Sequence, residues 1–363
     1  MAKNVLTIDR YVEHVSTVPA ISGQVMRQFV RERVLEETIS PGSKEVDEGK
    51  VVLMVHGGFW PCSVAFDCPH PGYSWMEALA LEGFDVFALD MTGHGRSALQ
   101  VQDLEKNVQV TDRHFMRSAE GSDEEPSYPY QLVTSDTETA DLNAVIDFIR
   151  DLRGVKKVHL IGWSGGGIRT GTYVRRHPNK IERLVIWASS NYLPDGLDAP
   201  PGALPSKGAP TAFQSKEHGE SVRWLANVKS EGQIEDPAVI DVVWRAGAEA
   251  DPVGASWGGL RGPTRTYWGW NRNGAAEITL PVLHFVGEFD GLLERNILLY
   301  KDLGSPEKIF LRIAGASHFM QWERGRHVQR RAVSEFLRDG TLIGKTSGEF
   351  RADEEGLIIP LGS

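Results

Sequence analysis

Six short apolar runs, separated by helix-like patterns, decide most of what this chain can become: Val51–Val55, Val86–Leu89, Val158–Ile161, Leu184–Trp187, Val282–Val286 and Ile309–Ile313. A run with no polar alternation suits a strand covered on both faces. Tyr73–Glu82 reads as a helix closed by Gly83. Ser135 and Glu138 form a capping-box pattern ahead of the helical face Leu142, Val145, Ile146 and Ile149. Ile168–Arg176 and Gly325–Arg338 read as further helices. Strands alternating with helices imply βαβ units and an α/β chain with a mostly parallel central sheet flanked by helices. Ahead of that block, Tyr11–Val18 and Val25–Leu35 read as strands that turn at Gly23.

Two stretches break the rhythm. Residues 99–134 show no clear period and read as a long excursion at the edge of a site. Residues 191–280 are rich in Pro and Gly and hold five of the ten tryptophans. They separate two core strands and read as an inserted cap. The expected organisation is a core of 1–190 and 281–338, a cap of 191–280, and an irregular or short extended tail of 339–363. A chain of 363 residues accommodates one large domain of this kind.

Reactive residue types cluster where the apolar runs end. Gly162-Trp163-Ser164-Gly165-Gly166 lies between a buried strand and a helix-like segment. Small neighbours there let a serine sit on a sharp strand-to-helix turn with its hydroxyl exposed. A serine needs a base. His318 follows the last apolar run, in Gly315-Ala316-Ser317-His318-Phe319, and is the expected base. Asp290 follows the penultimate run and is the expected partner of the imidazole, with Asp195 as its rival. Glu288 reads as structural. The run ending at Val55 leads into His56-Gly57-Gly58-Phe59-Trp60. Oxyanion donors are expected from the N–H of Gly165 and from Gly58 or Phe59, between which the sequence does not choose. His56 reads as a structural hydrogen-bonder. Trp60, Trp163, Trp268 and Trp270 are expected to line the substrate pocket. Two cysteines make no disulfide framework; Cys62 and Cys68 are expected as a reduced, buried pair, with a single local bridge as the alternative.

The segment Asp90-Met91-Thr92-Gly93-His94-Gly95-Arg96-Ser97 resembles the Asp-x-x-Gly-x-Gly-x-Ser turn of the α/β-hydrolase superfamily. Together with His56-Gly57-Gly58, Gly162–Gly166, Asp290 and His318, the resemblance runs from about residue 50 to 338, in family order. It implies the α/β-hydrolase fold with an inserted cap and a Ser164, Asp290, His318 triad. Asp90, Arg96 and Ser97 carry over as turn-stabilising positions. Dehalogenases and epoxide hydrolases of this superfamily use an aspartate nucleophile, so Ser164 argues against both.

The remaining expectations are exclusions and a reaction class. Net charge is -10, which disfavours nucleic acid and anionic membrane surfaces as partners. No metal-ligand spacing or phosphate loop occurs, so neither metal nor cofactor is expected. The first ten residues show no apolar signal segment, no run approaches membrane-span length, and a cytoplasmic protein is expected. The expected partner is a small-molecule substrate, with room for a homodimer. The expected reaction is cleavage of a carboxylic ester or lactone of a small to medium, cyclic or aromatic molecule through an acyl-enzyme on Ser164. The same residues could cleave a C–C bond, a thioester or an amide, or transfer an acyl group. A ligand receptor retaining the triad is a reading from another class.

Overall fold

The computed structural model describes residues 3–39, 47–117, 124–189, 192–199 and 202–361. Fourteen strands are labelled in chain order: β1 Val5–Val15, β2 Val25–Leu35, β3 Val51–Val55, β4 Asp85–Leu89, β5 Val133–Thr134, β6 Val158–Trp163, β7 Ile181–Trp187, β8 Thr211–Ser215, β9 Gly259–Pro263, β10 Arg265–Thr266, β11 Val282–Gly287, β12 Lys308–Ile313, β13 Gly348–Ala352 and β14 Ile358–Pro360. The longer helices are α1 Trp75–Leu81, α2 Ser135–Arg153, α3 Gly165–Arg176, α4 Ala238–Ala250, α5 Leu293–Asp302 and α6 Arg326–Asp339.

Ten strands form one sheet in the order β1-β2-β4-β3-β6-β7-β11-β12-β13-β14. The block from β4 to β13 is parallel throughout. β1, β2 and β14 are antiparallel to their neighbours. Every residue of β3, β4, β6 and β11 is buried. Helices on both faces explain why these strands have no polar alternation. The order reverses direction at β3: β4 lies on one side of it and β6 on the other. The carboxyl ends of such a pair open onto a crevice, which is where open α/β sheets place their ligands. His56 leaves β3 and Ser164 leaves β6 at that crevice.

Local chemistry explains the helices that matter there. In α2 the residues Leu142, Val145, Ile146 and Ile149 are buried, and Gly154 ends the helix at φ 67°. The expected capping box moves by one residue. Thr134 Oγ1 accepts from the Thr137 N–H and Thr137 Oγ1 accepts from the Thr134 N–H. The chain enters α2 directly from β5, so the extended residue at the junction is Thr134 and not Ser135. Glu138 is thereby released from capping and turns inward.

The tail departs from expectation. Beyond α6 the chain adds β13 beside β12 and folds β14 back on it, with Phe350 and Ala352 in the core. Its alternation is too short to read as a strand pair without the sheet edge it joins. Residues 192–280 carry the β8–β9 ladder and α4. The 99–134 excursion packs on that insertion: Gln109 donates to the Thr211 carbonyl (2.8 Å) and Arg117 to the Trp257 carbonyl (2.9 Å). Residues 118–123 lie outside the described residues. No helix among the described residues is long and apolar enough to cross a membrane.

Candidate active site

Ser164 stands between β6 and α3 with φ 54° and ψ −119°, a conformation L residues avoid. The glycines around it are required by contact. A Cβ on Gly166 would lie 2.1 Å from the Val55 carbonyl oxygen, and one on Gly57 would lie 2.8 Å from Ser164 Cβ. The β3 loop and the elbow therefore touch backbone to backbone. The Gly165 N–H belongs to the first turn of α3, which has no helical carbonyl to bond, and it faces the positive end of the helix dipole. Trp60 N–H bonds the Gly58 carbonyl at 2.8 Å around Phe59, which has φ 64°. This is a γ-turn of the rare, strained hand, held next to Ser164.

His318 Nδ1 lies 2.9 Å from Asp290 Oδ2, and both side chains are buried. The other carboxylate oxygen of Asp290 accepts from the Leu292 N–H at 2.8 Å. A carboxylate at Nδ1 keeps the proton there and leaves Nε2 as the basic nitrogen. The loop bearing His318 is fastened to the elbow, because Trp163 Nε1 donates to the His318 carbonyl at 3.2 Å. It is also fastened to the insertion through Glu323. That buried carboxylate accepts from Ser317 N–H (2.8 Å), the Ser317 hydroxyl, Trp224 Nε1 (3.1 Å) and Gln233 Nε2 (2.9 Å).

Gly58, Phe59, Ser164 and Gly165 line one cavity of about 330 Å³ together with Arg223 and Arg265. Most of its far wall comes from residues 212–267 of the insertion. A larger hollow of about 670 Å³, on Glu82, Arg330 and Arg338, contains none of these groups. The tryptophan expectation is corrected. Trp60 packs edge-on against Trp322 (5.1 Å between centroids), and Trp163 stacks on Trp187 (5.0 Å) behind the serine. The Trp268 N–H is bound to Ser135 Oγ, and the Trp270 ring lies against Gly171 of α3. None of the four lines the cavity; their large apolar surfaces go to the core. Asp195 is exposed beside Arg272 at 3.8 Å, and Glu288 pairs with Arg351 at the sheet edge. Cys62 and Cys68 are both buried and free.

His56 accepts the Met91 N–H at Nε2 (3.0 Å), so its Nδ1 carries the proton toward the Gly57 carbonyl (2.8 Å). Burial, with Arg169 nearby, pushes its pKa down to about 3. Asp90 accepts from Cys62 N–H (2.7 Å) and Arg96 N–H (3.0 Å), and Ser97 Oγ accepts from Phe29 N–H (2.9 Å). These bonds close the turn after β4.

Sequence patterns gave no sign of three arginines. Arg169 on α3 donates to Glu138 (2.7 Å) and to the carbonyls of His56 (2.7 Å) and Gly57 (3.1 Å). Burial lowers its own pKa to about 10. Arg223 and Arg265 come from the insertion, where no motif or period marks them.

A family model described as the alpha/beta hydrolase fold matches residues 50–325. The human serine hydrolase BPHL is 36% identical over 55 residues, which is 15% of this chain and 19% of that protein. The chain thus aligns with about a fifth of the length of this curated relative. Among solved structures, an esterase from Thermogutta terrifontis superposes with a TM-score of 0.51 at 17% identity, covering 91% of this chain and 98% of that one. Serine hydrolase CCSP0084 from Cycloclasticus zankles superposes with a TM-score of 0.51 at 16% identity, covering 92% and 99%. At such identities the superpositions speak for the fold. The sheet order, the serine-bearing turn between β6 and α3, and a family match over most of the chain agree: this protein belongs to the α/β-hydrolase family.

Proposed function

We propose that the chain is a serine hydrolase cleaving a small carboxylic ester or lactone through an acyl-enzyme. Ser164 attacks the carbonyl carbon while His318 Nε2 takes its proton. The Gly165 N–H and the Gly58–Phe59 pair receive the oxyanion. His318 returns the proton to the leaving oxygen, and a water, activated in turn by the imidazole, releases the acid. Asp290 fixes the tautomer and stabilises the imidazolium. Residues 192–280, with the 99–117 segment packed on them, act as a cap over the serine. The observation that carries this reading is the His318–Asp290 hydrogen bond of 2.9 Å, on a loop tied to the residue beside Ser164. A cavity of about 330 Å³ suits a small substrate. With the four tryptophans elsewhere, the aromatic part of its wall is Phe59 and Tyr267.

A fluorophosphonate probe is expected to label Ser164, as read by peptide mass spectrometry, and Ser164→Ala to abolish both labelling and ester turnover. Asp290→Asn should lower the rate by on the order of 10⁴, as loss of the equivalent partner does in serine proteases. Asp195→Asn should not. A label on another serine, with Ser164 unmodified, overturns the reading.

A further inference from the structure

The cavity beside Ser164 is cationic in a chain that is acidic overall. Net charge is -10, yet the described residues lining this cavity include Arg223 and Arg265 and neither an aspartate nor a glutamate. The Arg265 guanidinium comes within 3.0 Å of the point where a Cβ on Gly165 would stand, so it borders the residue that follows the serine. Its side chain is held over Tyr267, 5.8 Å from the ring centroid.

Charge counting around Arg265 does not close. Its carboxylate partner is Glu138, at 3.7 Å from Nε. The same oxygen, Glu138 Oε1, lies 2.7 Å from Arg169 Nε. The shorter contact is a charge-assisted hydrogen bond and the longer one is not. Arg169 gives another nitrogen to the His56 and Gly57 carbonyls. The other carboxylate acting on Arg169 is the buried Asp141, whose pKa burial lifts to about 7. Glu138 is thus shared by two guanidinium groups, and the more weakly held of them is the one that faces the cavity. Arg223 bonds the neutral amide of Gln214 at 3.0 Å. Asp290, the carboxylate nearest in effect to Arg223, is engaged by His318. Arg261 on β9 shows what a purely structural arginine looks like in this region. It is buried and paired with both Asp251 and Asp103. Burial lowers the pKa of the His56 and His94 imidazoles, and Arg169 and Arg265 lower it further.

We infer that the substrate carries, besides the bond attacked by Ser164, a second and fully anionic group, a carboxylate or its equivalent, which Arg265 binds and Arg223 draws in. This rests on the hydrolase reading above and names the substrate class for the same site. The planar fork of a guanidinium suits a carboxylate in two-point contact. A cavity this small brings such a group within a few bonds of the scissile carbonyl.

The test compares matched pairs in which one member carries an added carboxylate. On the acyl side these are para-nitrophenyl butanoate and mono-para-nitrophenyl succinate; on the alcohol side, phenyl acetate and para-acetoxybenzoate. The wild-type enzyme should favour the charged member of at least one pair by about tenfold or more in kcat/KM, and high salt should erode that preference. Arg265→Gln should lose at least about tenfold more on the charged than on the neutral member, and Arg265→Lys less. Preference for the neutral member in both pairs overturns the inference. So does a preference for the charged member that survives both Arg265→Gln and Arg223→Gln. Turnover of the neutral esters, lost in Ser164→Ala, reports on the hydrolase reading separately. Where no ester in the set is cleaved, succinate should still raise the Tm of wild type and not of Arg265→Gln; equal shifts overturn the inference.

Discussion

The carbonyls of His56 and Gly57 both accept from Arg169, which fixes the peptide planes of the loop that touches Ser164. Arg169 is a positioning residue that never touches substrate. Lysine keeps the charge, but its donors sit on one nitrogen and cannot span the two positions, Nε toward Glu138 and Nη1 toward the carbonyls, that the guanidinium fills. Arg169→Lys should therefore lower kcat by roughly 10- to 100-fold, short of the full loss of an oxyanion donor, with little change in KM. Steady-state kinetics on a neutral ester check this, and a rise in KM at unchanged kcat would assign Arg169 to ground-state binding instead. Ser164, Asp290 and His318 could be picked out as candidates because each follows the end of an apolar run, in one order. Arg169 could not, because what defines it are partners on β3 and α2. Arg265 and Arg223 lie in a Pro- and Gly-rich stretch without period, where an arginine has no distinguishing neighbour.

Glu323 joins two elements that are distant in the chain: the His318 loop and the 224–233 part of the insertion. Four donors converge on its two oxygens. Glu323→Gln replaces one acceptor oxygen with an NH₂ group, so donors face a donor in a buried place. Each orphaned group costs about 1–3 kcal/mol, and a destabilisation of roughly 2–4 kcal/mol follows. Thermal unfolding should show it, and limited proteolysis should cut the insertion sooner than in wild type. Lost activity at unchanged Tm would mean that the carboxylate acts on His318 itself. The buried strands were legible at this scale, since residues covered on both faces must be apolar. Helix entry was legible to within one residue, with Thr134 taking the cap expected of Ser135. The direction in which the four tryptophans point was not, because an aromatic in a strand end or an insertion serves a pocket or a core equally well by composition.

Buried charge also sets how the whole molecule responds to pH. Asp141 on α2 has no exposed surface, and burial lifts its pKa to about 7, against help from the Thr92 hydroxyl and Arg169. His14 Nε2 lies 3.4 Å from it and Glu138 raises it further. Unfolded, an aspartate releases its proton near ~3.9. Between that value and about 7 the folded chain holds a proton that the unfolded chain has lost. Its contribution to stability is thus full in acid and declines as pH rises across that window. Asp141→Asn removes the carboxylate and keeps its shape. Its Tm relative to wild type should rise between pH 5 and pH 8, and parallel curves would show that Asp141 ionises normally. The fold class was legible from strand–helix alternation, but the extent of the sheet was not, since β13 and β14 are strands only beside β12. That arrangement has a consequence for biosynthesis. A ribosome releases β12 before the residues that will pair with its outer edge. At ~5–20 residues per second, that row of unpaired backbone groups stays open for on the order of seconds, until 348–352 emerges. On a polysome, neighbouring nascent chains carry the same open row, and strand exchange between them is the misassembly to which this topology is most exposed.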